Sequence, residues 1–197
     1  MENTMNQTHN ILTQDELLHL AIEATRRGEH GAAISYLKEG VSRFPEDGKL
    51  AYVLGAEFAQ IGLYDKAESE MARAIELAPE LHTASFQLGL LQMTMGKVTE
   101  AKASWAKLDV LPERHALYLF KTGLEHLAAE QYGEARRLLD QGIAANDFSP
   151  ELTRDMENVM AGLPEAVETA VANSADVTAS ESGHVWLSAY NNTDKPN

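Results

Sequence analysis

Residues 62–79 read GLYDKAESEMARAIELAP. Gly62 stands where a chain leaves one helix, a place that favours positive φ, and Pro79 stops the next helix. The pattern recurs in GEHGAAISYLKEGVSRFP (28–45), GKVTEAKASWAKLDVLP (96–112) and EQYGEARRLLDQGIAAND (130–147). Gly28, Gly62, Gly96 and Glu130 fall 34 residues apart, as do Ala33, Ala67, Ala101 and Ala135. Upstream, Leu20-Ala21, Leu54-Gly55, Leu88-Gly89 and Thr122-Gly123 keep the same step. A fixed period of this length is the mark of stacked supersecondary units.

The period predicts helices near 14–27, 31–44, 48–61, 65–78, 82–95, 99–111, 116–129 and 133–145. Small residues at Gly55 and Ala67 let the paired helices of one unit approach closely. SPELTRDMENVMAGLP (149–164) reads as a capping helix with Ser149 as N-cap, Pro150 at its first position, and Leu152, Met156, Val159 and Met160 as its apolar face. Such a cap covers the last unit of an open repeat array. Residues 1–13 are polar and read as a disordered start. From 164 the composition turns to Ala, Val, Thr, Ser and acids, a linker in character.

These residues resemble the tetratricopeptide repeat, a 34-residue helix–turn–helix unit. Repeat two carries the pattern best, with Leu54, Gly55, Phe58, Gly62, Tyr64, Ala67, Ala74 and Pro79. The others depart from it: Ala24 replaces an aromatic, repeat three ends one residue early at Pro112, and Glu130 replaces the turn glycine. The resemblance implies an all-α, right-handed superhelical solenoid. Its four repeats would span 14–47, 48–81, 82–115 and 116–149, followed by a cap at 150–162 and a flexible tail. Residues 14–163 would form one domain.

The family lines its concave groove with fixed positions of the first helix of each repeat. Here they are Leu18 and Ile22, Tyr52 and Ala56, then Phe86, Leu90 and Met93, and finally Leu117, Phe120, Leu124 and Leu127. The resemblance thus implies an apolar groove for an apolar or amphipathic peptide, with Phe86, Leu90, Met93, Phe120 and Leu124 as its floor. The carboxylate clamp of chaperone-binding members is absent, since its positions hold Leu18, Ile22, Val53, Thr83 and Gln87. In size, charge and groove chemistry the chain is similar to the repeat chaperones of type III secretion translocators, though it has a fourth repeat and a long tail.

Composition narrows the function further. The net charge of −14 would repel nucleic acid and anionic lipid. No cysteine is present, so no disulfide or thiolate chemistry can be proposed. The seven histidines lack metal-ligand spacing, and His126 reads as a packing residue. Gly89…Gly96-Lys97 has the wrong gap for a phosphate loop, and Val98 replaces its Ser/Thr. The expectation is therefore a non-catalytic protein without cofactor or metal, binding a protein or peptide. No signal peptide or membrane span is legible, which points to the cytoplasm.

The tail then finishes on GHVWLSAYN (183–191), with Val185, Trp186, Leu187 and Tyr190 as candidate anchors. It could occupy a groove, pair two copies as a homodimer, or serve as bait for another protein. In the latter two cases the repeats become a scaffold or assembly factor rather than a peptide holder.

Overall fold

The computed structural model describes residues 12–163. Nine α-helices and one 3-10 helix account for these residues: α1 Gln14–Arg26, α2 His30–Arg43, α3 Gly48–Gln60, α4 Tyr64–Leu77, α5 His82–Thr94, α6 Val98–Ala106, the 3-10 helix Lys107–Val110, α7 Ala116–Ala128, α8 Tyr132–Ala145 and α9 Pro150–Ala161. There is no strand among the described residues, so the fold is an all-α helical repeat. None of these helices is long and apolar enough to cross a membrane.

One difference from the expected helices falls in repeat three, where α6 ends at Ala106 and the chain tightens into the 3-10 turn. By their contacts the described residues gather into two compact units, divided between Ala84 and Ser85 inside α5.

Helix starts follow from local chemistry. Thr13 caps α1 with a capping box: its hydroxyl accepts from the Glu16 N–H at 3.3 Å, and the Glu16 carboxylate accepts from the Thr13 N–H at 2.7 Å. Those bonds hold the Glu16 carboxyl below the usual carboxylate range. Asp47 caps α3 by accepting from the Lys49 and Leu50 N–H groups. Ser149 caps α9 with Pro150 following it, as expected from the sequence.

The turn that joins the two helices of each repeat is the same in all four. In repeat two the Leu63 N–H donates to the Phe58 carbonyl at 2.8 Å and the Gly62 N–H to Ala59 at 3.0 Å, with Gly62 at φ 75°. This is the Schellman arrangement, which satisfies carbonyls that the helix end would leave unpaired. Repeat four builds it with Glu130 at φ 59°, the Gln131 N–H donating to His126 and the Glu130 N–H to Leu127, both at 2.9 Å.

In the first unit the pairs α1/α2 and α3/α4 pack, and α2 also meets α3. A Cβ on Gly55 would lie 2.8 Å from Met71 Cγ and 3.1 Å from the Ala67 carbonyl, so the close approach of α3 and α4 at this point requires glycine. In the second unit α7 packs on α8, and α9 packs on α8 through Leu152, Met156 and Val159.

Candidate functional site

Four of the sequence-predicted groove residues belong to the first unit. Leu18 and Ile22 on α1 repeat as Tyr52 and Ala56 on α3, one period later, and all four are half-buried. Each helix turns its small and large core residues inward, Leu17, Ala21 and Ala24 on α1 and Leu50, Ala51, Leu54 and Phe58 on α3. That leaves the four apolar side chains on the flank that water still reaches. One helix turn separates the two on each helix, so they form two aligned apolar steps.

Beneath this face lies a polar group that the sequence reading missed. Glu57 follows Ala56 directly and is 3% exposed. Its Oε2 accepts from His30 Nδ1 at 3.0 Å, and its Oε1 meets the hydroxyl of Thr25. One carboxylate therefore ties α1, α2 and α3 together. A buried carboxylate without partners would cost several kcal/mol, so the pairing sets where α3 sits. Its signal was visible: Glu57 is the one acid inside LAYVLGAEFAQ, residues 50–60.

The second unit departs from the expectation of an open floor. Phe86, Leu90, Phe120 and Leu124 are fully buried, and Leu117, Met93 and Leu127 nearly so. The physical reason is Trp105. It stands where the other repeats carry Leu37, Met71 and Leu139, and it is fully buried. The Phe86 ring stacks beside it at 6.4 Å and meets the Phe120 ring at 6.0 Å. Phe120 in turn fills the space above Gly142, where a Cβ would collide with its ring. These seven residues are packed core in this unit, so they offer no free surface.

Two further polar features accompany that core. Lys121 is buried apart from its contact with the exposed carboxylate of Asp109, and its ammonium lies 4.9 Å from the Tyr118 ring centre. On α9 burial pushes the Asp155 carboxyl up to about 7, against Arg154 beside it and the Gln87 side chain, both of which favour its charged form. Neither was read from the sequence, because each depends on which helices meet. His126 contacts Gln131 at the repeat-four turn and is only half-buried. The tail anchors Val185, Trp186, Leu187 and Tyr190 lie outside the described residues.

Among known proteins, residues 49–81 match the family model of the tetratricopeptide repeat. Human Tetratricopeptide repeat protein 16 is 24% identical over 165 residues, covering 79% of this chain and 19% of that protein. The chain thus spans about a fifth of that relative's length. Among solved structures, a thermophilic TPR protein of Thermus thermophilus superposes with a TM-score of 0.62 at 17% identity, covering 77% of this chain and 81% of that one. MamA from residue 41 to its end, of Desulfovibrio magneticus RS-1, gives 0.56 at 19% identity, covering 75% and 81%. At such identities the likeness speaks for the fold. The match falls on repeat two, where the 34-residue pattern is fullest, and the helix pairs on either side repeat its architecture: residues 49–81 carry a tetratricopeptide repeat within an all-α repeat fold similar to these structures.

Proposed function

We propose that this chain is a non-catalytic protein-binding module, an adaptor or chaperone-like holder, that takes an apolar or amphipathic peptide on the first unit. The observation that carries this reading is the aligned pair of half-buried steps, Leu18 with Ile22 and Tyr52 with Ala56. Apolar side chains left in repeat on a water-facing flank mark a docking surface more often than chance exposure does. A helix bound there would present its own apolar residues at i, i+3 or i+4, and i+7. The strongly negative chain makes nucleic acid a poor partner.

A displayed library of helical peptides, selected against the full chain, tests this. The expected winners carry that apolar spacing and lose about tenfold or more in affinity against Ile22→Glu or Tyr52→Glu, as for loss of one anchor. Winners insensitive to both substitutions would overturn the reading.

A second reading rests on the sequence GHVWLSAYN, whose Val185, Trp186, Leu187 and Tyr190 are unusual in so polar a tail. In it the tail associates with another copy or a different protein, and the repeats act as a scaffold. Sedimentation of the full chain beside one ending at Leu163 separates the cases. A dimer that becomes a monomer supports tail-mediated association; identical masses exclude it.

A further inference from the structure

The apolar steps of the first unit lie between two polar ties. At the start of the helices Gln14 Nε2 donates to Asp47 Oδ2, while Asp47 Oδ1 accepts from the Lys49 and Leu50 N–H groups and so caps α3. At their ends the Thr25 hydroxyl donates to Glu57 Oε1, and His30 of α2 engages Glu57 Oε2 at 3.0 Å. The ties join start to start and end to end, so α1 and α3 run in the same direction. On α1, Leu18 and Ile22 stand between Gln14 and Thr25; on α3, Tyr52 and Ala56 stand between Asp47 and Glu57.

We propose that Thr25 with Glu57, and Gln14 with Asp47, are positioning residues that set the separation of α1 and α3, and with it the gauge of the partner helix that the surface accepts. The inference rests on reading this surface as a helix-docking face. Counted along the helices, the ties stand about 16 Å apart on α1 and about 15 Å apart on α3. A bound helix presenting apolar residues at i, i+4 and i+7 needs about 10 Å, so it fits between them.

The end tie is the stiffer of the two, because Glu57 is buried and a buried carboxylate is costly to unpair. α1 can neither slide along α3 nor draw away from it without taking the Thr25 hydroxyl from that carboxylate. Satisfied polar contacts of this kind specify one arrangement of the elements that carry them. In the second unit the corresponding register positions hold Met93 and Glu125. Methionine has no donor to offer, and the four side chains at the step positions there, Phe86, Leu90, Phe120 and Leu124, are buried.

The chain has no cysteine, so pairs of nitroxide labels can be placed on the full chain and their separation read by dipolar electron spin spectroscopy. Labels at Arg26→Cys and Gln60→Cys, both exposed positions, report the end tie; labels at Asp15→Cys and Lys49→Cys, also exposed, report the start tie. Thr25→Val keeps the shape and removes the hydroxyl, and Gln14→Met keeps the length and removes the amide. Thr25→Val is expected to shift or broaden the 26–60 distance while 15–49 holds, and Gln14→Met to do the reverse. Thr25→Ser, which restores the hydroxyl, is expected to return the wild-type distribution. Unmoved distances in both variants overturn the proposal. So does a change at both ends in each variant, which would mean that the whole unit loosens. Should Thr25→Val not fold, Gln14→Met decides by the same criterion.

A helical peptide with leucine at i, i+4 and i+7 supplies the second readout. Its affinity is expected to fall about tenfold in Thr25→Val, as for one misplaced anchor, and to recover in Thr25→Ser. An affinity that ignores both Thr25→Val and Gln14→Met while the distances move overturns the positioning role. A peptide that binds no form of the chain, wild type included, counts against the docking reading itself, and the distances still decide whether the ties set the separation.

Discussion

The indole Nε1–H of Trp105 donates to the main-chain carbonyl of Phe86 at 3.0 Å, deep in the second unit. A carbonyl in the middle of a helix already accepts from its own ladder, so this second bond uses its remaining lone pair. It also fixes the indole edge over Gly89, where a Cβ would collide with Nε1 and Cδ1. Glycine at 89 and tryptophan at 105 are thus one choice, made in two places. Gly89→Ala is expected to destabilise the second unit by about 1–3 kcal/mol through overpacking. Urea denaturation followed by Trp105 fluorescence would show it, and an unchanged midpoint would mean that the indole has room to move.

Glu130 illustrates a repeat holding its geometry against its sequence. Its φ of 59° belongs to the left-handed region, where the equivalent Gly28, Gly62 and Gly96 sit at 72°, 75° and 74°. A side chain there costs about 1–2 kcal/mol. Glu130→Gly removes that strain and returns some of the gain through a looser unfolded chain. The expected net effect is a stabilisation of about 0.5–1 kcal/mol, seen as a higher melting temperature with unchanged helical content. A lower melting temperature would show that the Glu130 side chain does something the turn needs.

Glu57 offers the reverse case, a charge that belongs in the core. His30→Ala leaves its Oε2 buried with one partner fewer. The expected cost is about 1–3 kcal/mol, the penalty for an unsatisfied buried group. Glu57→Gln, which keeps the shape and both contacts but drops the charge, should cost less than His30→Ala. The order of the two denaturation midpoints decides whether the carboxylate is held by pairing or merely tolerated.

How far the sequence was legible follows from range. Features set within one repeat were readable: the turn at Gly62, the close approach at Gly55 and Ala67 and the Ser149 cap all depend on residues a few positions or one helix apart. Even the departure at Glu130 was visible as a broken pattern, though not that the turn would survive it. The groove was only half legible. Leu18, Ile22, Tyr52 and Ala56 stand half-buried on their flank, whereas Phe86 and Phe120, at the same register position as Leu18 and Tyr52, turn into the core. The difference lies in Trp105 and Gly142, residues on the second helices that the groove pattern ignores. A register transferred from a family assigns positions, not the volumes that compete for them. The two-unit division and the raised Asp155 carboxyl were beyond reach because they depend on how successive helices stack.

Asp155 also governs how stability should vary with pH. Its carboxyl is raised from an unfolded value of 3.8 to about 7 in the native state. The folded chain therefore holds a proton that the unfolded chain has lost, and the stabilisation is full below the lower value. It is lost as pH rises toward 7, at no more than about 1.4 kcal/mol per pH unit, and the curve is flat above. Glu16, Glu29 and Glu134 are shifted downward by Thr13, Arg27 and Arg137 respectively, so they act with the opposite sign and only in acid. In the window from pH 5 to 7 those carboxylates are silent, and the difference between the wild-type chain and Asp155→Asn separates Asp155 from the histidines, which also change charge there. Stability of the wild-type chain is expected to fall across it relative to Asp155→Asn, which is the more stable of the two at pH 8. Chemical denaturation at three or four pH values reads both slopes. Parallel slopes would show that the Asp155 carboxyl is hydrated in solution and carries its charge throughout.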